Sequence, residues 1–231
     1  MKKNGENEKF MNLYKSNNYF KCHIFKTEEE WKNNRIHGIG GSDASALVGK
    51  NKYKTNKDLW FEKNGFIVND ISNEATEYGK KAEDPIRKLF ALKHPEFEVQ
   101  YIENCQLQSK IKPYRTYSPD GLIFDKVNGK KGLYEGKTSL IQNMAMYNEW
   151  KDGVPMHYFI QTLHGMLVDY EIDFVVFCAE LRFAWERNTE LVERTFTREE
   201  HEDDLAWLDE EEDKQWWYYK NKIEPSLLID F

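Results

Sequence analysis

The stretch Asp-Phe-Val-Val-Phe-Cys-Ala-Glu-Leu at residues 173–181 is apolar almost without a break. A strand with one wet face alternates apolar and polar residues; one buried on both faces does not. Residues 173–181 therefore read as a buried central strand, which needs cover on both sides. Around it, helical and strand patterns alternate along the chain. Thr27 followed by Glu28, Glu29 and Glu30 reads as a helix start, with a capping hydroxyl and acids in the first turn. Gly38-Ile39-Gly40-Gly41 breaks that helix, and Ser42-Asp43 is expected to cap the next. Asn56 opens a third helix that ends near Gly65. Residues 74–92 carry Ala75, Tyr78, Ala82, Ile86, Leu89 and Phe90 at helical spacing, and Pro85 predicts a late start or a kink.

Strands are expected over 99–107, 121–124 and 132–135, with Asn128-Gly129 as the turn between the last two. A polar helix follows at 139–150, then a break at 153–155, a helix over 156–169, the apolar strand, a further strand at 191–197 and a long acidic and aromatic helix at 198–220. Residues 1–26, lysine-rich with Phe10, Tyr14, Tyr19, Phe20 and Phe25, read as an arm or a short helix and strand. This order gives an α/β fold, a mixed central β-sheet flanked by α-helices, in a single domain over 1–231, its core at 27–197 and its tail at 198–231.

The formal net charge of −7 argues at first against a nucleic-acid partner, but its distribution does not. Residues 199–213 hold ten acids and no Lys or Arg; setting them aside leaves a remainder of +3, and residues 1–60 alone carry +5. The three cysteines, Cys22, Cys105 and Cys178, are too few for an iron–sulfur cluster and lack the C-x-x-C pairing of a zinc site. No apolar run approaches a membrane span and no signal core opens the chain, so a cytoplasmic protein is expected.

Ser118-Pro119-Asp120-Gly121 and Glu135-Gly136-Lys137 carry the chemistry. Glu135 and Lys137 lie two apart on a strand and share a face, and the hairpin returns Asp120 beside them. Phosphodiester hydrolysis needs a metal to neutralise phosphate and acidify water, and hard oxygen ligands suit Mg²⁺, with Mn²⁺ as substitute. Asp120, Glu135 and the Gly136 carbonyl are candidate ligands, with the Lys137 amine beside the same water. Taken alone, the pattern also fits an ordinary hairpin with a polar face. The Gly38–Ser42 turn is a candidate anion site, with free N–H groups and a hydroxyl at a helix start.

Further segments extend the pattern in order: Arg35-Ile36-His37-Gly38-Ile39-Gly40-Gly41-Ser42-Asp43, Gly79-Lys80-Lys81-Ala82-Glu83, the two segments above, and Tyr158-Phe159-Ile160-Gln161. Together, over about residues 35–181, they resemble the phage-type recombination exonucleases, the YqaJ-like family that includes lambda exonuclease, in the PD-(D/E)XK nuclease superfamily. The resemblance implies a restriction-endonuclease-like core and Mg²⁺-dependent resection of one strand of linear duplex DNA, 5′ to 3′. It gives Asp120 and Glu135 to the metals, Glu83 as an outer ligand and Lys137 to the attacking water. Gln161 would position the lysine or the water, Arg35 and Ser42 would grip a 5′-phosphate, and Ser118 would reach the scissile phosphate. It further implies double-stranded DNA ends as substrate, a single-strand annealing protein as partner, a ring-shaped trimer, and a phage or prophage origin in a bacterial host. Gly136 departs from the family pattern, which has an apolar β-former there. A structure-specific or nicking endonuclease on the same fold, and a non-catalytic DNA-binding relative, remain alternatives.

Overall fold

A computed structural model describes residues 12–66 and 74–228. The first part of the expected arm, residues 1–11 with Phe10, lies outside them. In chain order the elements are β1 (Phe20–Ile24), α1 (Glu28–Asn34), α2 (Gly41–Leu47), α3 (Asn56–Lys63), α4 (Glu74–Lys93), β2 (Phe97–Gln100), β3 (Cys105–Ser109), β4 (Thr116–Tyr117), β5 (Gly121–Asp125), β6 (Lys131–Ile141), α5 (Met144–Lys151), α6 (Met156–Val168), β7 (Ile172–Phe183), β8 (Thr189–Thr197) and α7 (Glu202–Asn221). A five-stranded sheet runs β2-β5-β6-β7-β8. Within this sheet, among the described residues, β6 and β7 alone pair in parallel, and α5 and α6 supply the crossover that a parallel pair requires.

The apolar run is buried on both faces, as its composition demands. Val175 and Phe177 join Leu122 and Leu133 against Ile160, Leu163 and Leu167 of α6. Phe174, Val176 and Cys178 join Ile123 and Tyr134 against Ile86 and Phe90 of α4. The chain is thus a mixed α/β fold with helices on both sides of the sheet.

Three local expectations are corrected. Residues 99–107 form two strands in two sheets: β2 is the edge of the main sheet, while β3 lies between β1 and β4 in a three-stranded antiparallel sheet. Asn104, at φ 51°, turns the chain between them. The strand expected at 132–135 runs on to Ile141, and the following helix starts at Met144, where the Asn143 side chain accepts the Met146 N–H. Ser42 and Asp43 lie inside α2, whose N-cap is Gly40; the Asp43 carboxylate reaches back to the Gly40 N–H at 3.1 Å. Pro85 does not delay the helix start: α4 runs through it from Glu74 to Lys93. Proline leaves the Lys81 carbonyl without its usual donor, but both residues are exposed, so water can take its place.

Helix α7 buries Leu205, Leu208, Glu212, Gln215 and Tyr219, a stripe at alternating spacings of three and four. Its acidic face is not wholly solvated. Glu212 is fully buried, with Arg115 Nε at 2.5 Å and His164 Nδ1 at 2.7 Å. Asp209 and Asp213 both pair with Lys112, at 2.8 and 2.6 Å. The acidic run offsets a basic cluster inside the fold, a pairing that no local sequence pattern shows. Among the described residues no helix is long and apolar enough to cross a membrane.

Candidate active site

The antiparallel register of β5 on β6 sets Gly121 opposite Tyr134, and continuing it one step brings Asp120 beside Glu135. Asp120 Oδ2 accepts the Gly136 N–H at 3.1 Å and lies 3.2 Å from Lys137 Nζ. Lys137 Nζ lies 2.6 Å from Glu135 Oε2, which also accepts the Gln161 amide at 2.9 Å. Asp120, Glu135, Lys137 and Gln161 therefore form one bonded group, drawn from two strands and α6. Gln161 reaches it from the first half of α6 and holds Glu135 rather than the lysine. A side chain at Gly136 would make only ordinary contact with the Tyr134 ring, and β6 runs through this position unbroken. The glycine is not needed for space, and in this arrangement it contributes its amide.

Glu135 is fully buried, and burial raises its acid above the usual carboxylate value against the pull of Lys137 and Gln161. Burial works to lower the Lys137 ammonium, but Asp120 and Glu135 outweigh it and hold the group above the ordinary lysine value. Lys137 is therefore an ammonium with three N–H donors. Two serve the carboxylates, which leaves one for a water or a phosphate oxygen. An ammonium has no lone pair with which to accept a proton.

Glu83 faces the same group from α4. Burial and then the Asp120 charge push its acid up to about 7. Such crowding of carboxylates is relieved by a cation, and carboxylate oxygen is the donor chemistry that Mg²⁺ takes. Among the described residues no three acid, histidine or cysteine side chains are drawn up at metal-ligand spacing. Here the Lys137 ammonium supplies the neutralising charge.

The remaining candidates line the same cleft of about 490 Å³ as Glu83, Asp120, Lys137 and Gln161. Arg35 Nη2 donates to Ser42 Oγ at 2.8 Å, and its guanidinium lies over the Trp31 ring at 4.9 Å. Trp31 Nε1 donates to Ser118 Oγ at 2.9 Å, leaving the Ser118 hydroxyl proton free to donate. Trp31 thus joins the anion-site residues to the Ser118-Pro119-Asp120 segment. Its spacing of four from Arg35 on a helical pattern was the signal available in the sequence.

Tyr117 is the other residue that local reading passes over. Its hydroxyl donates to Glu135 Oε1, and both side chains are buried. Its ring fills the space where side chains at Gly41 and Gly165 would stand; a Cβ at those positions would come within 2.7 and 2.8 Å of it. The tyrosine thus closes the space at both glycines, together with Leu133 at Gly165. Nothing local marks a strand tyrosine as the partner of a carboxylate eighteen residues away.

Comparison with known proteins places the fold and the family. The solved alkaline exonuclease LHK-Exo of Laribacter hongkongensis superposes with a TM-score of 0.61 at 17% identity, covering 85% of this chain and 94% of that one. A phage related exonuclease from Haemophilus somnus 129PT gives 0.53 at 14% identity, covering 82% and 97%. Both show the shared fold. The uncharacterized protein YqaJ of Bacillus subtilis (strain 168) is 32% identical over 183 residues, 75% of this chain. The chain spans about half the length of that relative, 54%. The profile of the YqaJ-like viral recombinase domain matches residues 30–170, more than half of the sequence and a span that includes Asp120, Glu135, Lys137 and Gln161, so the chain belongs to that family.

Proposed function

We propose that this chain is a metal-dependent deoxyribonuclease that enters linear duplex DNA at an end and resects one strand 5′ to 3′ for homologous recombination. One observation carries the reading: Asp120, Lys137 and Gln161 share a single cleft with Arg35, Ser42 and Ser118, over the buried Glu135. Asp120, Glu135 and Glu83 would hold Mg²⁺, with the Gly136 carbonyl as a further oxygen ligand and Mn²⁺ as a substitute. The bound metal would supply charge neutralisation for the phosphate and a water acidic enough to attack it. Lys137 donates its free N–H to the attacking water or a phosphate oxygen, and Gln161 fixes Glu135. Ser118 donates to the scissile phosphate, while Arg35 and Ser42 hold a terminal 5′-phosphate as a charge-assisted pair. Double-stranded DNA ends are the substrate in this reading, a single-strand annealing protein the recombination partner, and a homo-oligomeric ring the assembly.

The test compares linear with covalently closed circular duplex in Mg²⁺, using 5′- and 3′-labelled ends with and without 5′-phosphate. Loss of the 5′ label first, faster decay of 5′-phosphorylated ends and an intact circle are the expected results. Arg35→Ala should erase the phosphate preference. Cleavage of closed circles would replace the exonuclease reading with an endonuclease one, and full activity of purified, folded Lys137→Ala would remove this cleft as the nuclease centre.

A further inference from the structure

Tyr101, just past the end of β2, is 44% exposed on the wall of the cleft that holds Glu83 and Asp120. None of the chemistry above uses it. An aromatic ring left open in a polar cleft costs apolar exposure, so what holds it there matters. One face of the ring is covered by the Arg87 guanidinium, 3.8 Å from the ring centroid. That guanidinium is fixed in turn: Nη1 donates to the Asp120 backbone carbonyl at 3.1 Å, and Nη2 to Asp84 at 2.8 Å. Arg87 is itself buried. The ring is thus backed by a plane that is hydrogen-bonded to the main chain of Asp120. A flat ring so backed, beside a site that holds a phosphodiester, matches the π-face of a nucleobase.

We propose that Tyr101 is a stacking platform for the nucleobase next to the scissile phosphate. The inference rests on the nuclease reading above and adds a base subsite to it. Every base has a π-face, so the platform tolerates sequence and favours a base unstacked from its neighbours. It acts by placing the nucleotide over the carboxylates, with no part in proton transfer.

The experiment measures kcat/KM in Mg²⁺ on 5′-phosphorylated duplexes that carry either a normal base or an abasic nucleotide at each of the first three positions of the degraded strand. At one position the abasic substitution should lower wild-type kcat/KM by roughly 5- to 150-fold, mainly through KM. Tyr101→Ala should lose the same factor on the intact duplex and show no further loss with the abasic one. Tyr101→Phe and Tyr101→Trp, which keep a ring, should stay near wild type. A merely structural role for the ring would leave the abasic penalty unchanged in Tyr101→Ala. That result, or the absence of any abasic penalty in the wild type, would overturn the stacking role while the nuclease reading stands. A wild-type protein inactive on linear duplex in both Mg²⁺ and Mn²⁺ would overturn both.

Discussion

At the scale of single residues, the site depends on buried charges whose partners are few. Glu135 has no exposure, so each donor around it matters. Removing the Tyr117 hydroxyl leaves Glu135 Oε1 without the donor it has here, at a cost of about 1–3 kcal/mol for a buried acceptor. Tyr117→Phe keeps the ring that fills the space at Gly41 and Gly165 and should leave the fold intact. Its kcat for DNA hydrolysis should fall by about tenfold with KM little changed, as steady-state kinetics would show; unchanged kcat would deny Tyr117 its positioning role. Asp43 is a second such charge. Burial works to raise its acid, but Lys63, 2.7 Å away, and Arg35 overcome this and hold it at about 2, below its ordinary 3.8. A depressed carboxylate stabilises the fold fully above its unfolded value and loses that contribution as pH falls through the folded one. Urea titrations should therefore lose roughly 2 kcal/mol between about pH 4 and pH 2 from this group. Asp43→Asn should flatten the slope over that window.

At the scale of elements, close approach sets the tolerances. Helix α6 lies so near β4 and β6 that a Cβ at Gly165 would stand 2.7 Å from Leu133 Cδ1 and 2.8 Å from Tyr117 Cζ. Gly165→Ala should cost about 1–3 kcal/mol in chemical denaturation, although alanine favours a helix, because the core must open to admit it. A variant as stable as the wild type would show that the contact has room to give. Helix α7 is docked through charge as well as through its apolar stripe. Glu212→Gln removes the anion between Arg115 and His164 and should destabilise by about 3–5 kcal/mol. Glu210, on the same helix but exposed, should tolerate Gln within about 0.5 kcal/mol. Equal melting temperatures for the two variants would contradict the division of α7 into a docked and a solvated face.

At the scale of the whole molecule, the carboxylate group already has its counter-charge in Lys137, so the fold should not depend on metal. Calorimetry in EDTA should find a cooperative transition, shifted up by no more than a few degrees on adding Mg²⁺, while nuclease activity should go from nil to full. A protein unfolded in EDTA would mean that the metal is structural.

The division of labour between sequence and fold follows from the range of the interactions involved. Residues 173–181 implied two covered faces, because burial on both sides of a strand is a property of composition that any segment carries with it. Thr27, Asn128-Gly129 and the spacing of Glu135 and Lys137 were equally legible, since caps, tight turns and strand faces are set by neighbours within a few residues. The start of the second sheet was not, because Asn104 turns the chain with a backbone conformation that many asparagines never adopt. The burial of Glu212 on Arg115, the hydroxyl of Tyr117 on Glu135 and the seating of Tyr101 on Arg87 were beyond sequence reading altogether. Their partners lie 97, 18 and 14 residues apart, and only the packing of α4 and α6 on the sheet, with α7 on α6, decides which groups meet out of water.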